Sequence, residues 1–141
     1  MRVRPPNYVA WLIDYVRSEV RAVAEYSTVE VGNKEPDTLA LPLKRPLIVI
    51  RDDPGSRRDW TTFDRSVGVT VLWGTKQNDK PALDLALFVA SIVFDTDLPL
   101  ADASPIASVE LGGCNGPYPV ADRLDVARMY STAQYVVAGS F

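Results

Sequence analysis

Histidine is absent from all 141 residues. Its absence removes the commonest general base, the usual nucleophilic triads and most catalytic zinc sites. Cysteine occurs once, as Cys114, so no intramolecular disulfide can form and a reducing compartment is expected. A lone thiol with no histidine beside it is not expected to act as a nucleophile. Long apolar runs are missing too. The longest, Ala82 to Phe94, is interrupted by Asp84 and is too short to span a bilayer. The basic opening, Met1-Arg2-Val3-Arg4, runs into Pro5-Pro6 and not into an apolar core, which predicts no signal peptide and no membrane association. Excess positive charge is also lacking. Fifteen Lys and Arg face eighteen Asp and Glu, a net charge of −3. Tight nucleic-acid binding rests on neutralising phosphates, so this balance argues against it. It does not prevent DNA from sliding past an acidic wall.

What remains is an ordinary globular composition, 47% hydrophobic and 23% charged. A chain of this length can bury roughly two thirds of its unfolded surface, enough to fold without metal or disulfide. One domain over residues 1–141 is expected, with no cofactor.

The patterning predicts the elements. Asn7 is a helix cap after two prolines. Val9, Leu12, Ile13, Val16, Val20 and Val23 then recur at three- and four-residue steps, which predicts a one-sided helix over 8–25. A short strand is expected over 26–31, then a polar connector over 33–46 whose alternating Leu39, Leu41 and Leu43 suggest an edge strand. Leu47-Ile48-Val49-Ile50 reads as a buried central strand, and Val67, Val69, Val71 and Trp73 mark its hairpin partner. The connection between them, about 52–64, is long for a hairpin. A second helix over 80–94, with Pro81 in its first turn, is apolar nearly all round and is expected to be covered on both sides, by the sheet on one and by the first helix or a neighbouring subunit on the other. Strands are expected over 106–111 and 129–139, with a turn at Gly112–Pro117 and a polar connector over 118–127. This order predicts an α+β two-layer domain, a mixed or antiparallel sheet of four to six strands (roughly, from common sheet sizes) with both helices on one face.

No motif carries chemistry. Asp52-Asp53 stand before Pro54-Gly55, where aspartates form turns more readily than they bind Mg²⁺. Asp95-Thr96-Asp97 lacks the glycine and closing glutamate of a calcium loop. Gly112-Gly113-Cys114-Asn115-Gly116 lacks the Lys-Ser/Thr of a phosphate loop. No catalytic or metal-binding residue is assigned. The surface candidates are Arg57, Arg58, Trp60 and Phe63 in the long connection, with Leu87 and Phe88 on the apolar helix, since arginine and aromatics are enriched at protein contacts. For the loop, three readings stay open: partner contact, Trp60 folded back over the core, and stacking on single-stranded nucleic acid.

Several segments together carry a family resemblance. They are the amphipathic opening helix, Pro46-Leu47-Ile48-Val49-Ile50-Arg51-Asp52-Asp53-Pro54-Gly55, and Val67-Gly68-Val69-Thr70-Val71-Leu72-Trp73-Gly74 followed at once by a helix. The last are Gly116-Pro117-Tyr118-Pro119-Val120-Ala121-Asp122 and Ala127-Arg128-Met129-Tyr130-Ser131-Thr132-Ala133-Gln134-Tyr135-Val136-Val137-Ala138-Gly139. In this order the chain resembles the tail terminator proteins of bacteriophages with long non-contractile tails, especially those infecting actinobacteria. The resemblance implies a non-enzymatic virion protein of the tail and neck, assembled in the host cytoplasm. It implies a hexameric ring that caps the tail tube protein, ends tail polymerisation and meets the head–tail connector, with DNA passing through unbound. In that setting the loop at Trp60 and Phe63 would touch the tube or the neighbour, and the apolar helix and strand edges would join subunits. A head–tail connector of the same virion is the nearest alternative. A small histidine-free enzyme or ligand-binding domain, and a single-stranded nucleic-acid binder, are the others.

Overall fold

The computed structural model describes residues 1–141. Helix α1 spans Tyr8–Arg21, and Asn7 Oδ1 accepts from the Ala10 amide at 3.2 Å, as an N-cap should. The helix stops earlier than its apolar spacing predicts. Val23 takes an extended conformation and Ala24–Tyr26 tighten into a 3₁₀ turn that feeds the first strand. The strands are β1 (Glu30–Gly32), β2 (Leu47–Asp53), β3 (Thr62–Trp73), β4 (Ile106–Val109), β5 (Asn115–Val120) and β6 (Ala127–Ala138), and helix α2 spans Lys80–Val93. The sheet order is β1-β2-β3-β6-β4, with β5 also on β6. Only β1 and β2 run parallel. This is an α+β fold with a mixed six-stranded sheet and two helices.

Alternation along β3 and β6 decides what is buried. Phe63, Val67, Val69 and Val71 share a face with Met129, Ala133, Tyr135 and Val137. Leu12, Val16, Leu85 and Val89 of the two helices pack on that face. Tyr135 is fully buried, and its hydroxyl donates to the Val93 carbonyl at 2.6 Å, tying β6 to the end of α2.

Two expectations are corrected. Residues 39–43 form no strand. Pro42 has no amide to donate, and Leu39, Leu41 and Leu43 dip instead onto Leu47, Val49, Leu72 and Val126 on the opposite face of the sheet. The polar connector expected from 118 is partly strand: β5 carries Pro117 and Pro119, which a central strand would reject but an edge accepts. Helix α2 packs on the sheet and on α1 and keeps one open stripe in the single chain. Lys80, Asp84, Leu87 and Ser91 form an exposed stripe, and Lys80 pairs with Asp84 at 2.7 Å.

Both margins of the sheet carry features that hinder strand addition. At β1, the carbonyls of Val31 and of Val29 just before the strand accept from Arg17 Nη2 (2.7 Å) and Arg21 Nε (3.0 Å) of α1. On the other margin, β4 and β5 lie end to end along β6, broken by a 3₁₀ turn at Leu111–Gly113 and by the two prolines. Arginine plugs, interruptions and prolines are the usual defences against strand addition.

Candidate interaction surface at the Trp60 turn

Strand β3 pairs with β6 from Thr62↔Ala138 to Trp73↔Ala127, whereas β2 reaches only as far as Ser66. Residues 62–65 therefore project past β2, and the turn bearing Trp60 sits on that projection. The connection is shorter than expected, because β2 runs through Asp52 and Asp53 and β3 begins at Thr62. The two aspartates are strand residues, not turn residues, and alternation sends them to opposite faces. Asp52 accepts from the Tyr8 hydroxyl at 2.7 Å. Burial, then this bond, raises the Tyr8 pKa far above its ordinary value.

The turn braces itself. Asp59 Oδ1 accepts from the amides of Thr61 (2.9 Å) and Thr62 (2.8 Å). Arg57 forks onto the carbonyls of Asp59 (2.9 Å) and Trp60 (2.6 Å). The Arg58 amide donates to the Thr62 carbonyl, and the Arg58 guanidinium pairs with Asp64 at 2.9 Å and Glu110 at 3.6 Å. Trp60, at the apex, is 74% exposed. It does not fold back over the core.

Phe63 is elsewhere. At 5% exposure it belongs to the core, with the guanidinium carbons of Arg57 and Arg65 over its ring at 5.6 and 5.3 Å. The spacing Trp60-x-x-Phe63 crosses from turn into strand, so the two aromatics part company. Leu87 is about half exposed on α2, while Phe88 is half-buried and stacked on Tyr26 at 5.7 Å. Neither adjoins the turn in the chain or the sheet. Residues with no local signal do adjoin it. Arg4 bridges Ser140, Gly139 donates to the Thr61 carbonyl at 2.7 Å, and the chain ends gather there with Arg2 and exposed Phe141. Such pairing of distant ends leaves no local signal.

The electrostatics follow from these bonds. Arg57 and Arg65 bond only backbone carbonyls, so their charge is not offset by a paired carboxylate. Asp59 is held below the ordinary carboxylate range, first by the Thr61 amide and then by Thr62. Asp122 is held low as well, first by the Leu124 amide, with Arg128 helping and burial opposing. A lowered folded pKa stabilises the fold above the unfolded value and loses that contribution as pH falls through the folded value. Stability is therefore expected to be flat from neutral pH to about 4, and to decline below the ordinary 3.8 of both carboxyls. Carboxyl NMR titration checks this: an Asp59 midpoint at or above 3.8 would contradict the turn geometry.

The other motifs behave as loops or strands. Asp95 Oδ1 accepts from the Asp97 amide at 2.9 Å, an ordinary turn. Cys114 is half-buried near the Glu110 carbonyl, and burial raises its pKa, which disfavours the thiolate. No group of three or more Cys, Asp or Glu stands close enough to hold a metal ion, and no helix is long and apolar enough to cross a membrane. Comparison of the chain with protein-family models and with curated proteins finds no match to either.

Proposed function

We propose that this chain is a structural virion protein that caps a bacteriophage tail tube, ends its polymerisation and presents the surface to which the head joins. The observation that carries the reading is the braced turn at Trp60. A large aromatic held out in water by a rigid, arginine-flanked turn is a poor arrangement for stability and a good one for protein contact. Its rigidity lowers the ordering cost of binding. The family resemblance along the chain supplies the kind of partner: tube protein on one side, connector on the other, copies of itself around a ring through which DNA passes. The reading includes no reaction and no cofactor.

The test uses tail tubes polymerised from the tube protein encoded in the same genome. Added wild-type chain is expected to halt elongation and appear as a terminal ring in negative stain, whereas Trp60→Ala is expected to leave tubes growing at severalfold higher concentrations. Tubes that lengthen unchanged in the presence of wild-type protein would overturn the reading. Binding to the head-side connector but not to tubes would move the chain to the connector's side of the neck.

A further inference from the structure

We infer that the contact surface at Trp60 continues onto the joined chain ends, and that the whole takes a protein surface with an apolar centre and carboxylates around it. The inference rests on the reading that the Trp60 turn contacts a protein, and it names the chemistry of that partner. Backbone pairing builds the surface. The Gly139 amide donates to the Thr61 carbonyl at 2.7 Å, and Arg4 and Ser140 exchange amide–carbonyl bonds of 2.7 and 3.0 Å. Trp60 and Phe141, 74% and 85% exposed, thereby flank one junction. Between the ends lies a cleft of about 560 Å³, lined by Arg2, Val3, Arg4, Ser140 and Phe141. A side chain at Gly139 would strike Val3 and Phe63, so the end segments lie directly against the ring that carries Arg57 and Arg65.

Two features give the partner's chemistry. The first is apolar. Two large rings stand in water at one end of the sheet, and arginines lie among them, which is the composition of contact hot spots. The second is charge. Arg2, Arg4, Arg57 and Arg65 form no ion pair with any carboxylate of the chain. Against them stand Asp59 in the turn and Asp52 beside Tyr8. Asp64 and Glu110 are taken up by Arg58, and alternation sets Asp64 on the opposite face from Phe63. Four cations against two carboxylates leave this end positive, on a chain whose total is −3.

A carboxylate-bearing protein fits this end better than a nucleic acid. A phosphate backbone running past it would meet the rest of the chain, which carries the excess of Asp and Glu. A compact acidic patch meets this end alone, because charges more than about 10 Å away are screened. Arg57 and Arg65 are already fixed by bonds to backbone carbonyls. Little order is then lost when a carboxylate joins their remaining N–H groups.

The experiment is an NMR titration of the full chain with three probes: a short peptide of phenylalanines flanked by glutamates, the same peptide flanked by lysines, and a short oligothymidylate. The glutamate peptide is expected to move the Trp60 indole N–H and the amides of Arg2, Arg4, Ser140 and Phe141 along one saturation curve. It is expected to bind about tenfold more tightly than the lysine peptide, a preference that shrinks in high salt. Trp60→Ala, Phe141→Ala and the pair Arg2→Gln with Arg4→Gln are each expected to weaken it about fivefold, the scale of a contributing interface residue, with urea midpoints unchanged. Shifts confined to the turn would overturn the inference, as would equal affinity for the two peptides, tighter binding of the oligothymidylate, or no saturation at millimolar peptide. These titrations need no tail tube. A chain that takes the glutamate peptide and does not cap tubes loses the virion role alone. One that caps tubes and fails the titration loses the composite surface alone.

Discussion

Phe63→Ala is expected to destabilise the fold by about 3–5 kcal/mol, whereas Trp60→Ala three residues earlier is expected to change it by less than about 0.5 kcal/mol. Phe63 lies in the core with Arg57 and Arg65 over its ring, and its neighbour on β6 is Val137. Truncation leaves a cavity at the root of the projecting turn and removes the surface on which both guanidiniums rest. Trp60 touches little and is mostly in water. Urea unfolding of the two single variants separates them. Similar midpoints would mean that the Phe63 ring is not packed as described. The contrast also governs how contacts at the turn are tested. A variant lacking both aromatics would lose fold and contact together, so Trp60→Ala alone is the informative change.

Arg128→Ala is expected to cost about 1–3 kcal/mol, between the values for exposed and buried ion pairs. Arg128 holds Glu35 at 2.6 Å and Asp122 at 2.9 Å, with its side chain 21% exposed. One guanidinium thereby joins β6 to two separate loops, and the first of these leads into Leu39, Leu41 and Leu43. Removing it leaves Glu35 and Asp122 without their shared partner, beside the small apolar cluster those leucines cover. Hydrogen exchange is expected to speed up at residues 34–45 while β3 and β6 keep their protection. Unchanged exchange across the connector would show that the leucines hold it unaided.

These two cases also show what could be read from residues alone. The helices were legible because spacing reports a face directly: Leu12, Val16 and Val20 lie at 0% exposure, as their period demands. The long β3–β6 pair was legible in part, since Val67–Trp73 alternate, but its outer third was not. Thr62 and Asp64 read as loop by composition, and they are strand because β6 pairs with them. At 39–43 the alternation was real, yet it reported leucines dipping onto a sheet and not a ladder of hydrogen bonds. The Trp60 turn was identified by residue type, but only the fold decides that Trp60 points out and Phe63 in.

The guarded margins of the sheet bear on how this protein tolerates crowding. An open strand is a template: each added copy exposes a fresh one, so growth has no endpoint and reverses slowly. Here Arg17 and Arg21 turn one template off from within the same chain, and the broken β4–β5 margin turns off the other. Growth by added strands is thereby disfavoured. Side-chain patches, which fill up and respond to salt, are then the favoured route for any association. For the role proposed above, such a chain could accumulate ahead of its use, its assembly timed by the appearance of a partner and not by its own abundance.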